Sequence, residues 1–430
     1  MNNQETQEKV GYRDILRQKE YMKIIVANLI NRFGDSIDSI AFTWLVYAAT
    51  GSAAWTTLIY ALNRLPTVLL QPFAGAFVEG MHKKRVMVIS DFIRGGAVVF
   101  VAIMYMLDSI NPLILALFTL TISSVEAFCL PASTALIPKI LEKKYFAFGT
   151  SLNTTASSVV ELIGLGVAGV IIAVFGVQAA IIIDSVTFFL SGLIVAFVKV
   201  EEHPQKVATD VKSYFGHMKE GFSYVKKRKI VMNMCLLAVL ANAMCVPINS
   251  LQSAMTVEIF GVGSELLSVF GIVFTIGMLI ATVVFPYLSE RIRPRNLVIV
   301  PGICLGIVYA MLAFGGFAKG NLLLASIYCG FITFVMAVSI SWINATLSVQ
   351  FMKKVDEDYL ARAASLLNAS GAAASPVVSF ILTGVLVKVS VSSLFFAAGI
   401  AVVCIFVGMF MFRVQFDDVD EVGVPEMNEA

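Results

Sequence analysis

Arg32, Asp35 and Asp38 stand in the middle of one apolar stretch, and Arg64, Glu126 and Glu161 in the middle of three others. A charged side chain at the centre of a membrane-spanning helix costs about 2.5–3.5 kcal/mol on insertion scales. The six together would cost roughly 15–20 kcal/mol if each faced lipid, so they must face one another or a wet cavity. Four carboxylates against two arginines leave one or two acids without a basic partner, and such an acid in a low-dielectric site can take up a proton near working pH. It then alternates between holding a proton and binding a cation. The competing use is static pairing, Arg32 with Asp35 and Arg64 with Glu126 or Glu161.

Asn28, Asn31, Asp35, Asp38 and Phe42 recur at helical spacing and form one stripe, expected to line the cavity, with Arg32 beside it at i−3 from Asp35. Asp38 has no cation within one turn and is the expected proton carrier, while Asp35 is expected to be tied to Arg32. Asp91 and Arg94 read as a local i,i+3 pair, and Asp184 as structural. The second half of the chain offers Asn242, Asn249, Ser339, Ser341, Trp342 and Asn344 within its helices, read as a hydrogen-bonding cavity wall.

The elements that must position these residues are set by composition. Hydrophobic residues make up 58% of the 430 and charged residues 14%, with mean hydropathy +0.85, whereas a soluble domain is about a quarter charged. This is read as an all-α integral membrane protein. A net charge of +2 without a clustered basic face argues against a nucleic-acid partner. Cys129, Cys235, Cys245, Cys304, Cys329 and Cys404 lie in apolar segments without metal or disulfide spacing and read as buried thiols, so no metal site is expected. The polar first twenty residues contain no signal-peptide core.

A span needs about twenty apolar residues. Twelve stretches qualify: 21–49, 54–79, 86–107, 112–138, 146–175, 178–199, 230–259, 265–289, 296–317, 321–350, 358–387 and 391–413. Breaks at Thr50-Gly51-Ser52, Asn111-Pro112, Phe175-Gly176, Gly261-Val262-Gly263 and Lys319-Gly320-Asn321 carry turn chemistry. Of 31 Lys and Arg, 25 fall on the N-terminal side, Lys319 and Lys388 on the other, and Arg32, Arg64, Arg94 and Arg362 inside helices. By the positive-inside rule both termini are cytoplasmic.

The domains are therefore an N-terminal segment, 1–20; a six-helix bundle, 21–199; a cytoplasmic linker, 200–229; a second six-helix bundle, 230–413; and an acidic tail, 414–430. In the linker, Phe215, Met218, Phe222 and Val225 recur at helical spacing among lysines, as in an amphipathic helix on the lipid surface. Tyr145-x-Ala147-x-x-x-Ser151-Leu152 repeats 214 residues later as Tyr359-x-Ala361-x-x-x-Ser365-Leu366, and Glu79-x4-Lys84 is echoed by Glu290-x4-Arg295. Equal orientation of the copies points to parallel halves, a transporter architecture.

Several motifs then resemble the major facilitator superfamily, and within it the bacterial macrolide-efflux and drug-exporter branch. They are Arg64-x-Pro66 and Pro72, Gly75-x-x-x-Glu79 with Lys83-Lys84-Arg85, Phe128-x-x-Pro131-Ala132, Pro247-Ile248-Asn249, and Asp358-Tyr359-Leu360-Ala361-Arg362. The family's loop motif has Arg where Gly80 stands here. The resemblance implies a cytoplasmic gate at Gly75, Glu79, Lys83, Lys84 and Arg85. It also implies export of hydrophobic or cationic drugs, driven by an ion gradient, with protons favoured, and no cofactor. An endogenous amphiphile such as a lysolipid or siderophore is the alternative substrate, and a non-transporting sensor the third reading. No enzyme is expected, since His82, His203 and His217 all sit in charged loops away from the buried acids. The expected partners are a small amphiphilic substrate and the lipid bilayer, with the chain a monomer in a bacterial inner membrane.

Overall fold

The computed structural model describes residues 12–202, 226, 228–355 and 357–412. The side chains of Gly75 and Glu79 and those at positions 357–362 are outside that description, as are the expected amphipathic linker helix and the acidic tail.

Among the described residues a short helical segment, Tyr12–Leu16, precedes twelve long helices. They are α1 (Lys19–Thr50), α2 (Ala53–Glu79), α3 (Lys83–Met106), α4 (Pro112–Ile140), α5 and α6 (146–175 and 177–196 of the continuous Phe146–Ala196), α7 (Lys229–Glu258), α8 (Glu265–Ser289), α9 (Pro294–Ala313), α10 (Leu322–Lys354), α11 (Glu357–Leu386) and α12 (Val391–Met411). Nine helical stretches among the described residues are long and apolar enough to cross a membrane, the α5–α6 pair counting once. Dividing that pair and adding α1 and α2 gives the twelve expected spans; α1 falls short on apolarity because of Arg32, Asp35 and Asp38 themselves.

The breaks have local causes. Gly176 adopts φ +80°, a left-handed conformation that turns the chain between α5 and α6 where a side chain would be strained. Gly51, at φ +59°, ends α1 by donating its amide to the Tyr47 carbonyl. Asn111 accepts from the Ile114 amide at 2.9 Å and Pro112 opens α4, a good helix start because proline lacks the amide that would go unpaired.

The described chain groups into two compact units, residues 1–209 with 263–272, and residues 210–262 with 273–430. In the first unit α1 packs on α5 and α6, α3 on α6, and α2 on α4, around a core that includes Ile37, Leu45, Leu115 and Phe188. Small residues let these helices approach. A Cβ on Gly164 would lie 2.7 Å from Ser36 Cβ, and the Gly169 amide donates to Ser268 Oγ at 2.8 Å, as close packing at Gly164-x-Gly166-x-x-Gly169 requires. In the second unit α9 crosses α12 at a glycine contact: a Cβ on Gly399 would lie 2.6 Å from the Ala310 nitrogen, and one on Gly306 2.9 Å from the Gly399 carbonyl.

Two carboxylates tie down the end of the first unit that carries the charged loops. Glu202 accepts from the backbone amides of Lys83 at 2.6 Å and Lys84 at 3.0 Å, capping the positive N-terminus of α3. Glu20 accepts from the Lys199 amide at 2.6 Å and pairs with Lys23 at 2.9 Å, and Lys23 Nζ donates to the Phe197 carbonyl. The Lys199 amide, then Lys23, hold the Glu20 carboxyl below its ordinary pKa of 4.5.

Candidate functional site

A cavity of about 430 Å³ lies inside the first unit, in the half nearer the charged loops. Helix α1 contributes Asn28, Asn31, Arg32 and Asp35; α3 contributes Asp91 and Arg94; α4 contributes Glu126 and Ser133; α5 contributes Asn153, Thr154, Ser157, Ser158 and Glu161; α6 contributes Ser191. Met87, Cys129 and Leu130 are its apolar patches. Asn28, Asn31 and Asp35 of the α1 stripe thus face this space as helical spacing directs, whereas Asp38 and Phe42 of the same stripe do not line it and Phe42 packs against Phe118.

The pairing inside differs from the local reading. Arg32 reaches across to Glu161 on α5 at 2.6 Å, and Asp35 is held at 3.2 Å by Arg94 of α3. Arg94 therefore does not pair with Asp91, whose oxygens accept from Ser191 Oγ at 2.8 Å and Asn31 Nδ2 at 3.3 Å. Interhelical contact wins because an i,i+3 ion pair contributes only about 0.2–0.5 kcal/mol, less than a charge-assisted hydrogen bond to a facing helix in a partly buried site. The Arg94 guanidinium also lies 4.1 Å from the centre of the Phe188 ring, a stacking that favours cations most where water is scarce. Asn28 donates to Asn153 at 3.5 Å.

Three acids remain. Glu126 is half-buried in the cavity wall, with no hydrogen-bond or ion-pair partner among the described residues. Asp38 is half-buried and lies outside the cavity, one turn beyond Asp35. Asp184 is fully buried and neither of its oxygens has a partner among the described residues.

Other expected residues stand elsewhere. Arg64 is exposed, its guanidinium 5.4 Å from the ring centre of Tyr60 on its own helix, and it does not join the cavity. Ser341 meets Thr282 at 3.4 Å and the Trp342 indole donates to the Ala281 carbonyl at 3.2 Å, so both take part in the α8–α10 contact. Asn249 and Asn344 are exposed, and Asn242, also exposed, donates to the Ala238 carbonyl of its own helix. Of the gate residues, Lys83 is buried with its ammonium 3.2 Å from the Met81 carbonyl, while Arg85 is exposed. Sequence reasoning missed Glu202, Asn153 and Ser191, which carry no local signal because their partners lie 100 to 125 residues away along the chain, at Lys83, Asn28 and Asp91.

Two helical membrane units, the first enclosing a polar, charge-lined cavity, define a polytopic membrane transporter. The chain belongs to the Major Facilitator Superfamily, whose family model matches residues 24–375. It is 23% identical over 70% of its length to the MFS-type transporter YkuC of Bacillus subtilis (strain 168), covering 72% of that protein. It is 22% identical over 90% of its length to macrolide efflux protein A of Streptococcus pyogenes, covering 94% of that protein. Among solved structures, the crystal structure of the nucleoside transporter NupG superposes with a TM-score of 0.73 at 12% identity, over 91% of this chain and 99% of that one, a likeness of fold.

Proposed function

We propose that this transporter is a secondary active exporter of cationic, hydroxyl-bearing amphiphiles of the macrolide type, working by alternating access and proton antiport in a bacterial inner membrane with both termini cytoplasmic. The observation that carries this is Glu126, a carboxylate without a partner among the described residues in the wall of a polar cavity. A substrate ammonium would supply the missing charge, and Coulomb attraction is strong where water is excluded. Ser133, Thr154, Ser157, Ser158 and Asn153 present donors and acceptors for hydroxyl groups. Full-length similarity to macrolide efflux protein A supports the substrate class. The charged, hydroxyl and amide side chains in the lining favour a cationic and hydroxylated ligand, and Met87, Cys129 and Leu130 leave room for its apolar part.

Within this proposal Gly75, Glu79, Lys83, Lys84 and Arg85 form the cytoplasmic gate, and Asn242, Asn249 and Asn344 remain the polar residues the second unit offers to substrate. A dye- and drug-efflux panel in a pump-deficient bacterium tests it, run with and without a collapsed proton gradient. Efflux of cationic compounds should stop when the gradient is lost. E126Q should lower their efflux about tenfold, as expected for loss of one charged contact worth about 1.4 kcal/mol, and spare neutral analogues. Gradient-independent efflux, or an equal effect on neutral analogues, would overturn the assignment.

A further inference from the structure

Asp184 on α6 is the most deeply buried acid among those facing α1, and it has no donor among the described residues. Its surroundings are set by a close approach of the two helices. A Cβ placed on Gly34 of α1 would overlap Thr187 Oγ1 and lie 2.7 Å from Asp184 Oδ1, so the α1 backbone passes directly beside the carboxylate. The helices run antiparallel here, since Glu20 and Lys23 of α1 meet Lys199 and Phe197 while Gly34, further along α1, meets Thr187, earlier in the chain. With Gly34 beside Thr187, one turn further along α1 comes level with one turn back along α6, which sets Asp38 level with Asp184. The charged groups within electrostatic reach of Asp184 are Asp38 and Asp35 on α1 and Arg94 on α3, and Arg94 already holds Asp35.

We propose that Asp38 and Asp184 form one proton-binding site at the α1–α6 contact, two carboxyls holding a single proton between them. Two ionised carboxylates facing each other without donors would each be desolvated and would repel. One proton taken from water reduces two negative charges to one and gives each carboxyl a partner, the donor O–H on one and the accepting oxygens on the other. The titration then belongs to the pair and not to either residue. As the proton site of the transport cycle the pair rests on the antiport reading above; as a proton-binding pair it does not.

The test therefore uses purified protein in lipid nanodiscs and no transport. Infrared spectroscopy across a pH series follows the C=O stretch of protonated carboxyls in wild type, D38N, D184N and the double variant. Wild type should show a protonated-carboxyl band that is absent from the double variant. In D184N the Asp38 signal, and in D38N the Asp184 signal, should titrate at least tenfold differently in proton concentration from the wild-type band, because coupling between two sites is reciprocal. The same midpoint in wild type and in either single variant, or no band unique to the pair in wild type, overturns the proposal. If D184N does not fold, D38N and wild type still decide it. A vesicle assay on the same samples separates the two claims: substrate efflux without proton counterflow, alongside infrared coupling, removes the antiport reading and leaves the pair standing.

Discussion

Replacing Gly34 by alanine tests the α1–α6 contact on which the placement of Asp38 and Asp184 depends. The added Cβ would overlap Thr187 Oγ1, and would lie 2.9 Å from Thr187 Cβ and 2.7 Å from Asp184 Oδ1. Carbon atoms rest at about 3.5–4.0 Å. Turning Thr187 about χ1 moves its hydroxyl away but leaves its Cβ where it is, so the helices must part by more than half an ångström at a crossing that is otherwise packed with Ile37 and Phe188. Overpacking of this kind costs about 1–3 kcal/mol, and the severity of the overlap puts this case at the upper end. Alanine recovers about 1 kcal/mol as the better helix former. The expected net loss is thus about 2 kcal/mol, read as a lower melting midpoint of the purified protein in detergent. T187A should be tolerated by itself, and in the double variant it should recover part of the loss, since it removes the overlapping oxygen but not the Cβ. G34A as stable as wild type, or no coupling between the two positions, would refute this geometry and with it the level placement of Asp38 and Asp184.

Three further outcomes are expected. E202A should destabilise the first unit by about 1–2 kcal/mol, the worth of a helix cap that satisfies amides and complements the dipole, and E202Q should lose part of that; unchanged melting in both would show that the α3 cap is dispensable. Because the Glu20 carboxyl is held below its ordinary 4.5, its stabilising contribution is complete above that pH and disappears as pH falls through the lowered value. Melting midpoints measured down the acid range should therefore fall less steeply for E20Q than for wild type. Single cysteines near Ser52, Asn111 or Gly263 should be labelled by an impermeant reagent in intact cells, and those near Lys84, Lys144 or Lys226 should not; labelling at position 226 would reverse the proposed orientation.

The span pattern was nearly complete in the sequence because apolar length and turn residues act locally. The expected 265–289 coincides with α8, and Gly51, Gly176, Gly261 and Gly320, the glycines with positive φ, all stand in breaks read from turn chemistry. The α1 stripe was legible for the same reason, since helical periodicity decides which residues share a face. Partners were not legible. Arg32 has an acid three residues away on its own helix, and still pairs with Glu161, because which helix lies opposite is decided by packing that no single helix encodes. Asp184 illustrates the same boundary from the other side. As a lone acid in an apolar run it reads as structural, and its nearness to Asp38 arises only where Gly34 brings α1 against α6.

The distribution of charge in the first unit bears on why antiport is a natural use of this bundle. Arg32 and Arg94 are each committed to an acid, Glu161 and Asp35, and Asp91 is held by neutral donors. On the proposed assignments the two remaining sites that can gain positive charge are Glu126, by binding a substrate ammonium, and the Asp38–Asp184 pair, by binding a proton. Arg94 interacts with both groups, being within electrostatic reach of Glu126, Asp35, Asp38 and Asp184. Adding positive charge at either site therefore raises the cost of adding it at the other, through the same low-dielectric interior and the same guanidinium. Such coupling is reciprocal and of negative sign: a bound proton weakens the hold on the cation and a bound cation weakens the hold on the proton. Exchange of one for the other across the membrane needs that sign, and here it would follow from placing two unpaired acidic sites within electrostatic reach of one shared arginine.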